Sequence, residues 1–244
     1  MIRETVLAAI VAGLVAALVF TLVQSIWVTP LILQGETYED AAEASLGHHE
    51  TESLGDAHHD ASVEHHHDAD EWKPQEGWQR TLFTFAANLL MGVGYSFVLV
   101  ALYLLWREPK STLAGAMYGL AGFVVFFAAP GLGLPPELPG TAAAELIARQ
   151  QWWVMTAVAT AAGLILFFSQ PRWWMRILAL AIIVAPHLVP APHPAVESSL
   201  APAELQSQFR LATTVCNAIF WLSLGLASGG AFRKWVVGGA RSRA

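Results

Sequence analysis

Six apolar runs, separated by polar or proline-rich breaks, set the rhythm of this 244-residue chain. They cover about 5–28, 82–106, 112–130, 151–169, 174–190 and 209–231, with hardly a charge inside them. Runs of this length are what a helix needs to cross a hydrocarbon core of roughly 30 Å. The pattern predicts an all-α polytopic membrane protein with about six transmembrane helices. The fifth run is the weakest, because Pro186, Pro190 and Pro192 interrupt it, and a five-span reading with that segment re-entrant stays open. The first run is too long for the apolar part of a secretory signal. No small-x-small site follows it before Trp27 and Pro30, so it reads as a retained helix.

Charge orients the spans. With six spans and a cytoplasmic N-terminus, the inner segments hold Arg3, Arg107, Lys110, Arg172, Arg176, Arg233, Lys234, Arg241 and Arg243, and the outer ones only Lys73, Arg80, Arg149 and Arg210. That bias places both termini in the cytoplasm and the chain in the inner (cytoplasmic) membrane as a multi-pass protein. Trp152, Trp153, Trp173, Trp174 and Trp235 stand at span ends, where indoles favour the interface. Composition agrees: 55% of residues are hydrophobic and 13% charged, about half the charge of a soluble domain. A single cysteine, Cys216, excludes an internal disulfide framework and a cage of several thiolates. The organisation is a first transmembrane helix over 1–33, an outer loop over 34–80, and a bundle over 81–244 with proline-broken segments at 128–140 and 185–194.

The outer loop differs from everything else. Its stretch "HHETESLGDAHHDASVEHHHDADE", residues 48–71, holds seven of the nine histidines: His48, His49, His58, His59, His65, His66 and His67. Carboxylates are interspersed, and the net charge of −6 arises almost entirely here. With so little apolar content the loop cannot bury a core and is expected to be disordered in isolation. Imidazole suits Co, Ni, Cu and Zn, and nearby carboxylates favour the approach of a divalent cation. No defined ligand geometry is spelled out, so weak, plural, exchangeable sites are expected, as in an antenna that concentrates metal. The plainer alternative is a solvated acidic linker.

Two proline-rich segments break the spans. "AAPGLGLPPELPG", residues 128–140, presents Glu137 between Pro136 and Pro139. Irregular backbone near the bilayer is tolerated where protein buries it or where it lines a cavity. "APHLVPAPHP", residues 185–194, carries His187 and His193. Counted from Arg176 along a regular helix, His187 rises about 16 Å, half way across the core. Ionisable groups at such depth, beside broken helices, are candidates for a transport site. The competing role for His187 is to satisfy backbone groups freed by proline. Asn88, with Met91 one turn further on, and Asn217 are expected about 10 Å below the outer ends of their spans, joined by Gln24 and Ser25. Together they form a polar layer in the outer leaflet, although each asparagine alone also fits interhelical hydrogen bonding.

No P-loop and no HExxH occurs, and no nucleic-acid-binding pattern or organic-cofactor motif is present. "LASGG", residues 226–230, resembles an intramembrane protease motif, yet Ser228 falls at the cytoplasmic end without a histidine at matching depth. The chain does not read as an enzyme; a metal-dependent membrane hydrolase is the remote alternative.

The N-terminal span with its histidine-rich outer loop, "LPPELPG" at 134–140, "RQQWW" at 149–153, "APHLVPAPHP" at 185–194 and "SSLAPAELQSQFRLAT" at 198–213 follow one another in an order that resembles the CbtA family of predicted cobalt transporter subunits. The resemblance covers nearly the whole chain. It implies uptake of Co2+ (Ni2+ or Zn2+ being possible cargoes), a link to cobalamin biosynthesis, and a small single-span, histidine-bearing CbtB-type partner in the lipid bilayer, with a homo-oligomer also open. It also implies that Glu137, His187 and His193 occupy recurrent positions of the family. The competing function is a non-transporting membrane protein that binds metal for sensing, storage or delivery.

Overall fold

The computed structural model describes residues 2–51 and 77–241. Helix α1 spans Ile2–Thr51 and α2 spans Trp78–Leu105. Helix α3, Thr112–Phe123, runs on through a π-helical turn, Val124–Ala128, into the single turn α4, Ala129–Gly131. Helix α5 is Leu146–Ser169, and α6 is Trp173–Val184 followed by a 3-10 turn, Ala185–Leu188. Helix α7, Ala203–Ala231, passes through a second π-helical turn, Phe232–Val237, into α8, Gly238–Arg241.

Five of these stretches are long and apolar enough to cross a membrane: Ile2–Ser45, Trp78–Leu105, Thr112–Gly131, Leu146–Ser169 and Ala203–Val237. The expected fifth span is the shorter helix Trp173–Leu188. It is shortened by its prolines: Pro186 tightens the last turn to 3-10 geometry, and Pro190 follows directly. Twelve α-helical and four 3-10 residues rise about 26 Å. This carries the chain back along α5, whose Gly163 meets Ala179 and Ile183 of α6. Among the described residues, five full-length apolar helices are therefore accompanied by one shorter one.

Helix α1 exceeds its expectation. Hydropathy ends the first helix near residue 33 and leaves 34–80 irregular; the helix instead continues to Thr51, about 75 Å in all. The segment 39–45, Glu-Asp-Ala-Ala-Glu-Ala-Ser, is rich in strong helix formers. The Arg80 guanidinium also grips the Glu36 carboxylate with hydrogen bonds of 2.6 and 3.0 Å, tying α1 to the first turn of α2.

Helix α1 packs on α2 and α7, and α3 packs on α7, around a shared core; the α5–α6 hairpin joins them chiefly through the Val124–Ala128 turn and α4. Two seams are close enough to demand glycine. A Cβ on Gly13 would lie 2.6 Å from the Val93 backbone, and one on Gly225 would lie 2.8 Å from the Gly119 Cα. Small residues let membrane helices approach this closely, where dispersion and weak hydrogen bonds replace the missing hydrophobic force. "LASGG" is thus a packing surface: Ser228 is fully buried and shares a 2.9 Å hydrogen bond with the Tyr103 hydroxyl.

Gly13 near the start of α1 meets Gly92, and Tyr103 near the end of α2 meets Phe232 beyond α7. Both ends of the described chain therefore lie at one end of the bundle, with the short connections 106–111 and 170–172. The longer connections 132–145 and 189–202 lie at the other end, which holds the candidate site.

Candidate functional site

The two proline-rich connections are fastened to each other. The Ala142 N–H donates to the Ser198 carbonyl at 2.9 Å and the Leu200 N–H to the Gly140 carbonyl at 3.2 Å, with Thr141 and Ser199 paired as an isolated antiparallel bridge. Gly140 adopts φ of +73°, a left-handed conformation that L side chains disfavour. Gln206, buried in the first turn of α7, completes the clasp. Its side-chain oxygen accepts from the Leu138 N–H at 3.3 Å, and its amide donates to the hydroxyls of Thr141 (2.7 Å) and Ser199 (3.0 Å). On the α5 side, the Trp152 indole N–H donates to the Val189 carbonyl at 3.1 Å. Two segments without regular structure thus become a fixed rim.

Within this rim, beside the first turns of α5 and α7, lies a cavity of about 890 Å³. Glu137 from one connection and His193 from the other both line it, together with Glu197, Arg149 from α5, and Gln206 and Arg210 from α7. Glu137, His193, Glu197 and Arg210 are exposed and Arg149 is half-buried. None of these five ionisable side chains makes a side-chain hydrogen bond or ion pair among the described residues, and the Arg149 Nε is buried without a partner. The formal charges of the two glutamates and two arginines cancel. Among the described residues no three His, Cys, Asp or Glu side chains come together to hold a metal.

The remaining sequence-predicted residues lie elsewhere. His187 is half-buried outside this cavity. Its Nε2 sits 3.1 Å from the Ala129 carbonyl, and its ring packs edge-on to Trp152 at 5.9 Å between centroids. A carbonyl can only accept, so in this hydrogen bond Nε2 carries the proton. The ring joins two proline-broken segments. This bond sets the ring level with α4, the single turn that opens the 132–145 connection. Asn88 is buried in the α1–α2 seam, donating to Thr21 at 3.0 Å and Gln24 at 2.9 Å, while Met91 packs against the core. The Asn217 amide donates to its own helix at the Thr213 carbonyl, 3.0 Å away. None of these three lines the cavity; of them, Asn88 alone hydrogen-bonds between helices. His48 and His49 fall in the last turn of α1, whereas His58, His59, His65, His66 and His67 lie outside the described residues.

Several residues emerge only in three dimensions. Arg149 of α5 joins Glu197, Gln206 and Arg210 at the cavity from about fifty positions away in sequence. Below it on α5, Thr156 and Thr160 are fully buried, and neither hydroxyl has a hydrogen-bond partner. With Arg149 and Trp153 above them they follow the i, i+3, i+4 spacing of one helix face. Two threonines four apart in an otherwise apolar run were the available signal.

The sequence profile of the family described as "Probable cobalt transporter subunit (CbtA)" matches residues 2–233, nearly the whole chain. No match was found to a curated protein or to a solved structure. Multiple long apolar helices, a site built by the proline-rich motifs, and a family match from end to end lead to one conclusion: this multi-pass membrane protein belongs to the CbtA family of probable cobalt transporter subunits.

Proposed function

We infer that the protein takes up a divalent transition metal, Co2+ foremost, across the inner membrane, and that the cavity at the outer end of the bundle receives it. The observation that carries this reading is that Glu137 and His193, from two separate proline-rich connections, line one cavity. A carboxylate and an imidazole are ligands that suit a borderline divalent ion. The histidines of 48–67 gather the ion at low concentration by exchangeable contacts and raise its local supply to the cavity. From there the buried hydroxyls of Thr156 and Thr160 offer oxygen ligands along α5. With the cavity outside and both termini in the cytoplasm, an inside-negative potential of 100 mV supplies about 4.6 kcal/mol for a dication.

The family description calls the protein a subunit, which supports a partner. A small single-span, histidine-bearing chain of the CbtB type is the partner we infer, completing the inner part of the pathway, where this chain offers no ladder of ligands to match the cavity among the described residues. No step of bond making or breaking is involved.

Labelled cobalt accumulation in cells expressing the chain, with and without such a partner, tests the reading. Accumulation above that of control cells is expected with the partner present. No accumulation in either setting, with insertion verified, contradicts transport and leaves metal binding for sensing, storage or delivery.

A further inference from the structure

The lining of the cavity is poorly matched to a bare dication. Arg149 and Arg210 face the same space as Glu137, Glu197 and His193. Two guanidinium groups repel a free metal ion, and the glutamates cancel them formally without adding a net attraction. Opposite charges that line one cavity commonly pair with each other; here all five ionisable side chains are left without a partner among the described residues. The three potential metal donors also do not converge. Size points the same way. Six waters around an ion, at roughly 30 Å³ each, would fill only about a fifth of the 890 Å³ cavity, which falls in the range of sites for small organic molecules.

On the reading that this cavity receives the metal, we propose that the metal arrives as a complex with a small carboxylate-bearing chelator, and that Arg149 and Arg210 bind the chelator's carboxylates. A planar guanidinium presents forked donors matched to a carboxylate. Helices α5 and α7 hold one such group each on the cavity wall. Glu137 and His193 then meet the metal on the face that the chelator leaves to exchangeable water. A chelated ion needs one or two protein ligands rather than a full cage, which agrees with donors that line the cavity without clustering. The buried, unpartnered Nε of Arg149 is the donor most in want of an acceptor.

The test uses labelled cobalt and labelled citrate as probes, with the full-length protein in membranes. First, uptake is measured at one total cobalt concentration, with and without citrate sufficient to lower free Co2+ tenfold. Uptake that holds up in citrate supports the proposal, and uptake that falls in step with free Co2+ overturns it. Next, Arg149→Gln with Arg210→Gln should lower the ratio of uptake with citrate to uptake without it by about tenfold, the equivalent of one charged hydrogen bond; an unchanged ratio overturns it. Finally, retention of labelled citrate by the purified protein in lipid should require both cobalt and the two arginines. This last measurement needs no transport, so it separates failure of the chelate proposal from failure of the uptake reading. Citrate retained equally without cobalt marks a simple anion site, and citrate not retained at all in lipid leaves the arginines to lipid headgroups; either result overturns the proposal.

Discussion

The side-chain amide of Gln206 donates to the Thr141 hydroxyl at 2.7 Å and so fastens the first turn of α7 to the connection that carries Glu137. The same side chain accepts from the buried Leu138 N–H. Gln206→Leu removes these contacts and the one to the Ser199 hydroxyl, and leaves that N–H unsatisfied. A loss of about 2 kcal/mol is expected, read as a lower unfolding midpoint in detergent, and cobalt uptake should fall with it. Gln206→Glu keeps the acceptor but loses the donor to Thr141, so it should be milder. Equal effects of the two substitutions would mean that the Leu138 contact is not the one that matters.

His187 and His193 are expected to part company. His193 lines the cavity, whereas His187 bonds the Ala129 carbonyl and packs on Trp152. His193→Ala should reduce uptake without moving the unfolding midpoint. His187→Ala should lower the midpoint by the equivalent of about 1 kcal/mol for a lost hydrogen bond, and His187→Gln, which retains an N–H donor, should recover part of it. Uptake abolished by His187→Gln with the midpoint unchanged would reinstate His187 as a ligand.

Much of this architecture was legible in the sequence, and the parts that were not share a cause. Apolar runs gave the bundle and its alternation because a membrane-spanning helix declares itself by length and composition alone. Hydropathy is blind to a polar helix, so the continuation of α1 past residue 33 was missed even though Ala41, Ala42, Glu43 and Ala44 favour it. Glu137 and His193 were legible as residues held by prolines. That they share a cavity depends on Thr141 pairing with Ser199, a contact across 58 positions with no local signature. Arg149 and Arg210 served only as charges that orient the chain, because nothing along the sequence puts them beside a glutamate or a histidine.

The α3–α7 seam sets a limit on substitution. A Cβ on Gly119 or Gly225 enters the backbone of the opposite helix. Gly225→Ala is therefore expected to force the helices apart, with a loss of about 1–3 kcal/mol from overpacking. Gly94→Ala, where a Cβ meets nothing within 4 Å, should be tolerated. Thermal unfolding of the two variants side by side checks this, and equal stability would contradict the packing.

The histidine-rich stretch carries a pH prediction. Imidazole must be neutral to bind metal, and a free histidine becomes protonated as pH falls through about 6.5. Cobalt bound by the intact protein at low concentration should therefore decline between pH 7.5 and pH 5.5, in the protonation range of free imidazole. The protein lacking residues 48–71 should show a smaller decline. Identical pH profiles would remove the histidines from metal capture.

The central claim is that the ion is received by the cavity shared by Glu137 and His193 and only gathered by the histidine-rich stretch. The most direct test is cobalt uptake as a function of concentration for three proteins: intact, lacking residues 48–71, and carrying Glu137→Gln with His193→Gln. Loss of the stretch should shift the curve to higher cobalt and leave its maximum, while the double substitution should lower the maximum itself. A double variant that transports like the intact protein, with insertion and stability verified, would contradict the account.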